Sequence, residues 1–403
     1  MSRKTLKALF HMGAKEYKTE YDSRYNDADT IHLSVNIGEN SAFICQTPEI
    51  YKQIISIERL DKGVESLTNT LPKLAISQFT SKCLIDEILL TNNIEGVHST
   101  RKEIGEILQD LSTRDKRNRF VGLVAKYAAL EDDHTMSFKS CQDIRKVYDD
   151  IFYEEIKATD SDNLPDGELF RRSGVEVQSA TQKVIHKGIS PESKIIDTMN
   201  QSLNVLNDDD IDIFIRISVF HYLFGYIHPF YDGNGRTSRF ISSYLLSKQL
   251  NPLIGFRLSY TIKENISKYY KAFEVCNDSH NKAELTPFVE MFLNIIEISM
   301  QQLLETLEEK KYKWDYYRQR INSLPNAEKT DISHIYELLI QAALFSNIGI
   351  SREELLNELQ LSENTVRSRL KLIPDTLLIE NRQKGRKYYL LDLDATDKLF
   401  EEL

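Results

Sequence analysis

Residues 228–239 read HPFYDGNGRTSR and place a histidine, an acid, two glycines, an asparagine and two arginines within twelve positions. Apolar segments flank this run: IDIFIRISVFHYLFGYI (211–227) precedes it, and RTSRFISSYLLSKQL (236–250) overlaps its end. The length and apolar content of both segments predict helices, the first of them central and buried. The polar residues between them therefore form a loop that leads into the second helix.

The glycine loop at residues 233–235 has the properties of an anion site. Glycines let the backbone approach a ligand closely, and the first N–H groups of a helix are unpaired. The positive end of the helix dipole adds attraction for a di- or triphosphate. Arg236 and Arg239 are three residues apart, so both project toward the bound anion from one helical face.

Two further side chains of the run supply chemistry. Asp232 precedes the loop, and a carboxylate beside a polyphosphate site is the usual protein ligand of Mg²⁺. His228 ends the first helix and, with a pKa near neutrality, can accept a proton from an attacking hydroxyl. Each feature alone is common in loops without chemistry, but together at this spacing they predict attack of a hydroxyl on a nucleotide phosphate.

The run resembles the Fic-domain motif, HxFx(D/E)GNGRxxR, and fits it at every specified position. The resemblance extends over roughly residues 85–300. It implies a mainly α, Fic-type helical bundle and a Mg²⁺-dependent enzyme that transfers AMP from ATP to Ser, Thr or Tyr hydroxyls of a target protein. By the same resemblance His228 is the general base, Asp232 holds Mg²⁺ and Phe230 packs inward. The implied phosphate-side contacts are Gly233, Asn234, Gly235, Arg236, Thr237, Ser238 and Arg239.

Two other segments are similar to nucleotide-binding parts of Fic proteins. KVIH (183–186) lies in a stretch whose β-branched alternation around glycines predicts a hairpin, where the family has a flap beside the nucleotide; an ordinary edge hairpin is the alternative. KYYKAFEVCN (268–277) resembles the adenine-side helix, although aromatics at helical spacing also fit a core. The contacts implied by these two segments are Lys183, Val184, Ile185, His186, Tyr269, Tyr270 and Asn277.

TNNIEG (91–96) fits the family's inhibitory pattern, (S/T)xxxE(G/N), with Thr91, Glu95 and Gly96. The resemblance implies an inhibitory helix around residues 83–96 whose Glu95 borders the nucleotide and pairs with Arg239. The alternative is a surface glutamate near a helix C-terminus, where the helix dipole does not favour an acid. That unfavourable position, together with the pattern, favours inhibition.

The chain divides into four predicted regions: mixed residues 1–84, a Fic catalytic domain at 85–321, a linker at 322–331 and a C-terminal domain at 332–403. In the last region SREELLNELQ, a short turn and ENTVRSRLKLI predict a helix–turn–helix, and TLLIENRQKGRKYYLLD predicts two strands joined at Gly385. This order is typical of a winged helix–turn–helix domain. Such domains bind DNA or proteins. Basic residues of the second helix are the candidate DNA contacts, namely Arg367, Arg369 and Lys371.

Composition limits the other interpretations. The net charge of −10 opposes a chain that coats nucleic acid or an acidic membrane as a whole, although a local basic patch remains compatible with DNA. Four dispersed cysteines predict buried thiols of a reducing compartment rather than a zinc site or disulfides. Without a secretory pattern or a long apolar segment, a cytoplasmic protein without membrane spans is expected.

Adenylyl transfer to a target protein, with self-modification and a homodimer left open, is the leading interpretation. One alternative is a DNA-binding regulator whose Fic domain only senses nucleotide, but such a sensor needs neither His228 nor Asp232. Another is removal of AMP from proteins, because Glu95 could position a water molecule. Gly235 stands where kinase-like relatives carry lysine, which favours AMP transfer.

Overall fold

A computed structural model describes residues 3–13, 15–111, 118–130, 135–178 and 184–402. The chain is mainly helical, as the sequence predicts. The helices are, in chain order, α1 (Leu6–His11), α2 (Tyr17–Tyr25), α3 (Pro48–Thr70), α4 (Lys73–Ile94), α5 (Arg101–Gln109), α6 (Val121–Ala128), α7 (Cys141–Thr159), α8 (Glu192–Leu206), α9 (Ile213–Ile227), α10 (Asn234–Gln249), α11 (Leu258–Glu264), α12 (Ile266–Cys276), α13 (Thr286–Arg320), α14 (Ile332–Phe345), α15 (Arg352–Leu359), α16 (Glu363–Leu370) and α17 (Leu393–Glu402). The strands are β1 (Thr30–Ile37), β2 (Asn40–Cys45), β3 (Glu176–Gln178), β4 (Val184–Lys187), β5 (Ile350–Ser351), β6 (Leu378–Gln383) and β7 (Arg386–Leu391).

The chain forms two compact units, a first of residues 1–61 and 87–300 and a second of residues 62–86 and 301–403. These bounds differ from the predicted regions, which placed domain edges near residues 84 and 321. Helices α3, α4 and α13 each continue from one unit into the other, so the edges of the units fall inside helices. Domain boundaries are recognised in a sequence by loop-forming residues, and an edge inside a continuous helix has none.

The first unit is built around α9 and α10, the two predicted apolar helices. Asp212 caps α9 by accepting from Phe214 N at 2.8 Å, which satisfies one of the unpaired N–H groups at the helix start. Most residues of α9 and α10 are buried, including Phe220, Phe224 and Phe240. The loop between the two helices is therefore fixed at both ends by core packing.

Two hairpins accompany this core. Strands β1 and β2 pair antiparallel near the N-terminus. Strands β3 and β4 also pair antiparallel, with Val177 opposite His186, and confirm the hairpin predicted within residues 167–191. All four cysteines are free and buried, as the sequence predicts.

The second unit contains α14–α17 and a three-stranded sheet of order β5-β7-β6. Ser351 begins α15 with a capping box to Glu354, and Ser362 caps α16. Lys384 and Gly385, both at positive φ, form the tight turn that joins β6 and β7. The order of these elements is that of the predicted domain, and its assignment as a winged helix–turn–helix stays a prediction.

Residues 322–331, the predicted linker, pack within the second unit. Leu324 and Ala327 are buried, and the Asn326 side chain donates to Leu372 O at 2.8 Å. Tyr336 donates its hydroxyl to Pro325 O at 3.0 Å. These residues therefore form a packed turn between α13 and α14, and their role as a domain linker stays a prediction.

Among the helices of the described ranges, none combines the length and the apolar character needed to cross a membrane.

Candidate active site

His228 ends α9 in the left-handed conformation, with φ 52° and ψ 63°. A non-glycine residue adopts this conformation only where its surroundings hold it. Here the buried Arg171 holds it, because its Nε donates to His228 O at 2.8 Å and its Nη2 donates to Ile189 O at 2.8 Å. Arg171 thus fixes the loop just after α9 and also the segment that follows the β3–β4 hairpin.

Phe230 and Asn234 fix the middle of the loop. The Phe230 ring is fully buried and stacks on Tyr148 with ring centroids 3.6 Å apart, as the inward packing predicted from the resemblance requires. The Asn234 side chain accepts from Phe230 N at 2.9 Å and donates to Phe230 O at 2.8 Å. The loop is thereby closed on itself before α10 begins.

Glycine is required at two loop positions. Gly233 has φ 79°, a conformation that disfavours other residues. A Cβ on Gly235 would lie 2.1 Å from Glu95 Oε1, so only glycine admits the carboxylate there. In the first turn of α10, Thr237 and Ser238 donate their hydroxyls to Gly233 O and Gly235 O at 2.8 and 3.1 Å. Their predicted role as nucleotide contacts is untested.

Arg236 is fully buried but only partly satisfied. Its Nη1 donates to Glu155 Oε1 at 2.6 Å, and its guanidinium lies 4.5 Å from the centroid of the Phe152 ring. Its Nε and Nη2 have no hydrogen-bond partner among the described residues. Buried donors without acceptors are costly, so this arginine is suited to an anionic ligand such as a phosphate.

Arg239, by contrast, is satisfied from α4 and the turn that follows it. Its Nη2 donates to Glu95 Oε1 at 2.7 Å, and its Nε donates to Thr91 Oγ1 at 2.8 Å. Burial acts to lower the pKa of Arg239, but the Glu95 charge and hydrogen bond outweigh burial and raise it. The predicted pairing of Glu95 with Arg239 is therefore present in the structure.

The His228 imidazole is neutral at physiological pH. Burial is the main cause that lowers its pKa to about 4, while a hydrogen bond with the Gly225 backbone and the Glu95 charge oppose the shift. His186 and Arg171 lower the pKa further by charge repulsion. A neutral imidazole can accept a proton, as the predicted base must.

Residues 139–246 match the family model described as the Fic/DOC family. They form a Fic domain. The chain is 27% identical over 258 residues to the protein adenylyltransferase Fic of Aedes aegypti, a match that covers 61% of this chain and 47% of that protein. It is 24% identical over 235 residues to the protein adenylyltransferase fic-1 of Caenorhabditis elegans, covering 55% and 40% of the two chains. The chain thus spans about half the length or less of these curated relatives.

A solved Fic family protein from Desulfovibrio desulfuricans G20 resembles most of the chain. The TM-score is 0.52 at 21% sequence identity, and the match covers 86% of this chain and 96% of that chain. This likeness supports the Fic fold.

Asp232, the predicted Mg²⁺ ligand of the Fic motif, has a side chain about half exposed (49%). Its Oδ1 accepts from Gly233 N at 2.5 Å, and its Oδ2 lies 3.9 Å from Arg236 Nη2. Among the described residues the one group of three metal-ligating side chains, His11, Asp278 and His280, does not include it. A single carboxylate suits Mg²⁺, which keeps several waters and takes phosphate oxygens as further ligands.

The predicted flap and adenine-side residues are only partly described. Lys183 lies outside the described residues, and Val184 and Ile185 belong to β4. His186 pairs its Nε2 with Tyr226 O at 2.6 Å. It borders a pocket of about 620 Å³ that Asn277 also lines. His186 and Asn277 are thus brought together at one pocket, where nucleotide binding by them remains a prediction.

The two tyrosines of α12 differ in position. Tyr270 is 46% exposed, whereas Tyr269 is 4% exposed and its hydroxyl pairs with His221 Nε2 at 2.7 Å. The Tyr269 ring also packs edge-on against Phe273. Tyr269 therefore lies in the core, and its contact with the adenine base stays a prediction.

Sequence reasoning missed Arg171 and Glu155. Arg171 lies among polar loop residues, and nothing in its neighbourhood signals that it bonds to His228 and Ile189. Glu155 carried a signal, because it follows the buried Ile151 and Phe152 of α7 at four- and three-residue spacing and so falls on the apolar face. An acid on a buried stripe predicts a buried cation as partner, here Arg236.

Proposed function

We propose that this chain is a protein adenylyltransferase that moves AMP from ATP to a Ser, Thr or Tyr hydroxyl of a target protein. One observation carries the proposal: the glycine loop joins a half-buried, neutral histidine to a buried arginine whose Nε and Nη2 have no hydrogen-bond partner among the described residues. A loop that carries both a base and an anion site is better explained by chemistry on a phosphate group than by a purely structural turn. The names of the two adenylyltransferase relatives support AMP as the transferred group.

The reaction follows from this arrangement. Gly233 and Gly235 bind the outer phosphates through backbone N–H groups, and Arg236 binds them through its Nε and Nη2 donors. His228 accepts the proton of the target hydroxyl, whose oxygen forms a bond to the α-phosphorus. The bond from that phosphorus to the pyrophosphate oxygen breaks, and pyrophosphate leaves. A magnesium ion held by Asp232 would offset the phosphate charge.

Labelled ATP tests the proposal directly. Purified protein is incubated with α-³²P-ATP and Mg²⁺ in a cell lysate, alongside His228→Ala and the control His334→Ala, which removes an exposed histidine outside the Fic domain. The parent and the control should transfer label, and His228→Ala should lose roughly 10²–10⁴ in rate. Nucleotide binding by His228→Ala should change little, because the phosphate contacts remain. Transfer by His228→Ala at the parent rate would reject the base assignment.

We also infer that Glu95 restrains this activity. Its carboxylate engages Arg239, the second arginine of the motif, and a Cβ on Gly235 would meet the same carboxylate. Glu95 thus occupies the side of the glycine loop where an outer phosphate of ATP would pair with Arg239. A phosphate displaced from that position would leave the α-phosphate misaligned, and a misplacement of about 1 Å costs on the order of 10²-fold in rate.

A further inference from the structure

Helix α16 of the second unit carries an exposed polar face. It buries Val366 and Leu370, while Asn364, Arg367, Ser368 and Lys371 are exposed. The spacing of these four residues, three, four and seven apart, places them along one side of the helix. We propose that this face binds double-stranded DNA in the major groove.

Arg369, a predicted DNA contact, does not belong to this face. Its side chain is about one third exposed, and its Nε lies 3.9 Å from Asp331 Oδ2. Asn364 and Ser368, whose uncharged side chains give no signal in the sequence, take its place. Solvent exposure in the structure, rather than basic charge in the sequence, identifies which residues can reach a partner.

The charge around α16 is opposite to that of the whole chain. Residues 361–391 contain seven lysines and arginines and three acids, whereas the chain carries a net charge of −10. This segment therefore attracts the phosphate backbone, whereas the remaining residues together carry a net negative charge. Binding should accordingly be strongly weakened by salt.

The β6–β7 turn adds basic residues at an exposed tip. Arg382, Lys384 and Arg386 are exposed around the turn. Glu380 offsets part of this charge, because it accepts from Arg382 Nη2 at 3.3 Å and from Lys387 Nζ at 2.8 Å. Lys384 and Arg386 at the tip are the residues that we assign to phosphates.

DNA suits this surface better than a protein partner does. Protein interfaces are centred on buried aromatic or aliphatic anchors. Of the described residues in 361–391, no large hydrophobic side chain is exposed. Asn364 and Arg367 instead match base edges, since Asn pairs with adenine N6 and N7 and Arg with guanine O6 and N7. The preferred site should contain both bases within a few base pairs.

Fluorescence anisotropy of the full chain with labelled 30-base-pair duplexes tests the proposal. One duplex has random sequence, and a second is selected from a randomised library. Arg367→Ala should weaken binding of the selected duplex roughly 5- to 150-fold with little effect on the random one. The double variant Lys384→Ala, Arg386→Ala should weaken both and reduce the slope of log K against log salt by about 2.

Lys398→Ala is the matched control, because it removes an exposed charge from α17 in the same unit. It should bind both duplexes like the parent. No binding to either duplex at low salt would overturn the proposal. So would equal binding by the Lys384→Ala, Arg386→Ala double variant and the control. Failure of the library to yield a preferred sequence would overturn base reading by Asn364 and Arg367. None of these residues belongs to the Fic domain, so adenylyl transfer, measured in parallel, stands or fails separately.

Discussion

Arg171 is the residue that most directly controls the geometry of His228. Its guanidinium spans the carbonyl oxygens of His228 and Ile189, and the absence of a Cβ on Gly188 leaves it room, since a Cβ there would lie 2.4 Å from Nη2. Lysine retains the charge but cannot span both carbonyls. Arg171→Lys should therefore reduce adenylyl transfer on the order of 10²-fold through misplacement of the base.

The control for this prediction is Arg172→Lys, at an exposed neighbouring position. Nucleotide affinity of Arg171→Lys should stay close to that of the parent, because the proposed phosphate contacts lie at the start of α10. A loss of nucleotide affinity equal to the loss of rate would instead indicate a general structural defect.

Glu87 makes the stability of the protein depend on pH. Burial raises its pKa from 4.5 to about 7, while bonds from Ser259 and the Arg239 charge oppose the shift. Between these values the folded chain binds more protons than the unfolded chain, so the stability contributed by this group falls as pH rises. The free energy of unfolding of Glu87→Gln, relative to that of the parent, should therefore increase between pH 5 and pH 8 by on the order of 3 kcal/mol.

Urea unfolding midpoints at the two pH values measure this difference. Glu168→Gln, at an exposed position of the same unit, serves as control and should show no such trend. An equal difference between Glu87→Gln and the parent at pH 5 and pH 8 would contradict the burial argument.

Individual site residues were predictable from the sequence where their role depends on neighbours along the chain. Phe230, Gly233 and Gly235 act through the loop that they themselves form, and local spacing is enough to identify them. Arg171 and Glu155 act on residues 57 and 81 positions away. Such pairs depend on how helices pack, which one sequence read without tertiary contacts does not contain.

Among the elements, α4 and the turn after it bring Thr91 and Glu95 of the predicted inhibitory motif to Arg239. The predicted inhibitory helix around 83–96 is the end of a longer helix, Lys73–Ile94, and Gly96 at φ 73° turns the chain away just after Glu95. Removal of the carboxylate should free Arg239 for phosphate. Glu95→Gly should therefore raise adenylyl transfer and self-modification well above the parent, with a smaller change in nucleotide affinity.

Two variants separate charge from backbone effects in this experiment. Glu95→Gln keeps the shape of the side chain and should activate partially, whereas Asn93→Gly alters an exposed position near the end of α4 and should not activate. Hydrolysis of AMP from modified protein should be followed as well. Loss of that hydrolysis without a gain in transfer would favour a role of Glu95 in positioning water.

The elements themselves were largely predictable, and their ends less so. Apolar periodicity identified α9 and α10, and glycine with β-branched alternation identified the β3–β4 hairpin. The length of α4 was not predicted, because its apolar residues do not follow a single stripe. A helix that is buried on several sides lacks an amphipathic pattern, so its ends cannot be predicted from that pattern.

In the whole molecule, residues 62–86 and the C-terminal region form one packed unit. The Phe79 ring meets Phe345 with centroids 6.4 Å apart, and Lys310 lies over both rings at 5.5 and 5.2 Å. Burial lowers the pKa of Lys310 to about 8, and its amine donates to Leu344 O. The sequence did not reveal this unit because its two segments are more than 200 residues apart.

This packing predicts that the C-terminal region is not separable, although a boundary near residue 321 suggested that it is. A chain that ends at Leu324 would expose Phe79 and leave Lys310 without Phe345 and the Leu344 carbonyl. It should unfold at a lower temperature than the full chain, and protease should cut within residues 62–86 first. Thermal unfolding followed by circular dichroism, with mass mapping of early cleavage sites, measures both effects.

A point variant isolates the same contact without removing any chain. Phe345→Ala should reduce the free energy of unfolding by about 3–5 kcal/mol, because it empties a fully buried aromatic site. Tyr312→Ala, which removes a ring that is 74% exposed, should change it by less than about 1 kcal/mol. If the shortened chain and Phe345→Ala both unfold like the full chain, residues 62–86 do not need the region after Leu324 for stability. If both are destabilised while Tyr312→Ala is not, the adenylyltransferase assay must use the full chain.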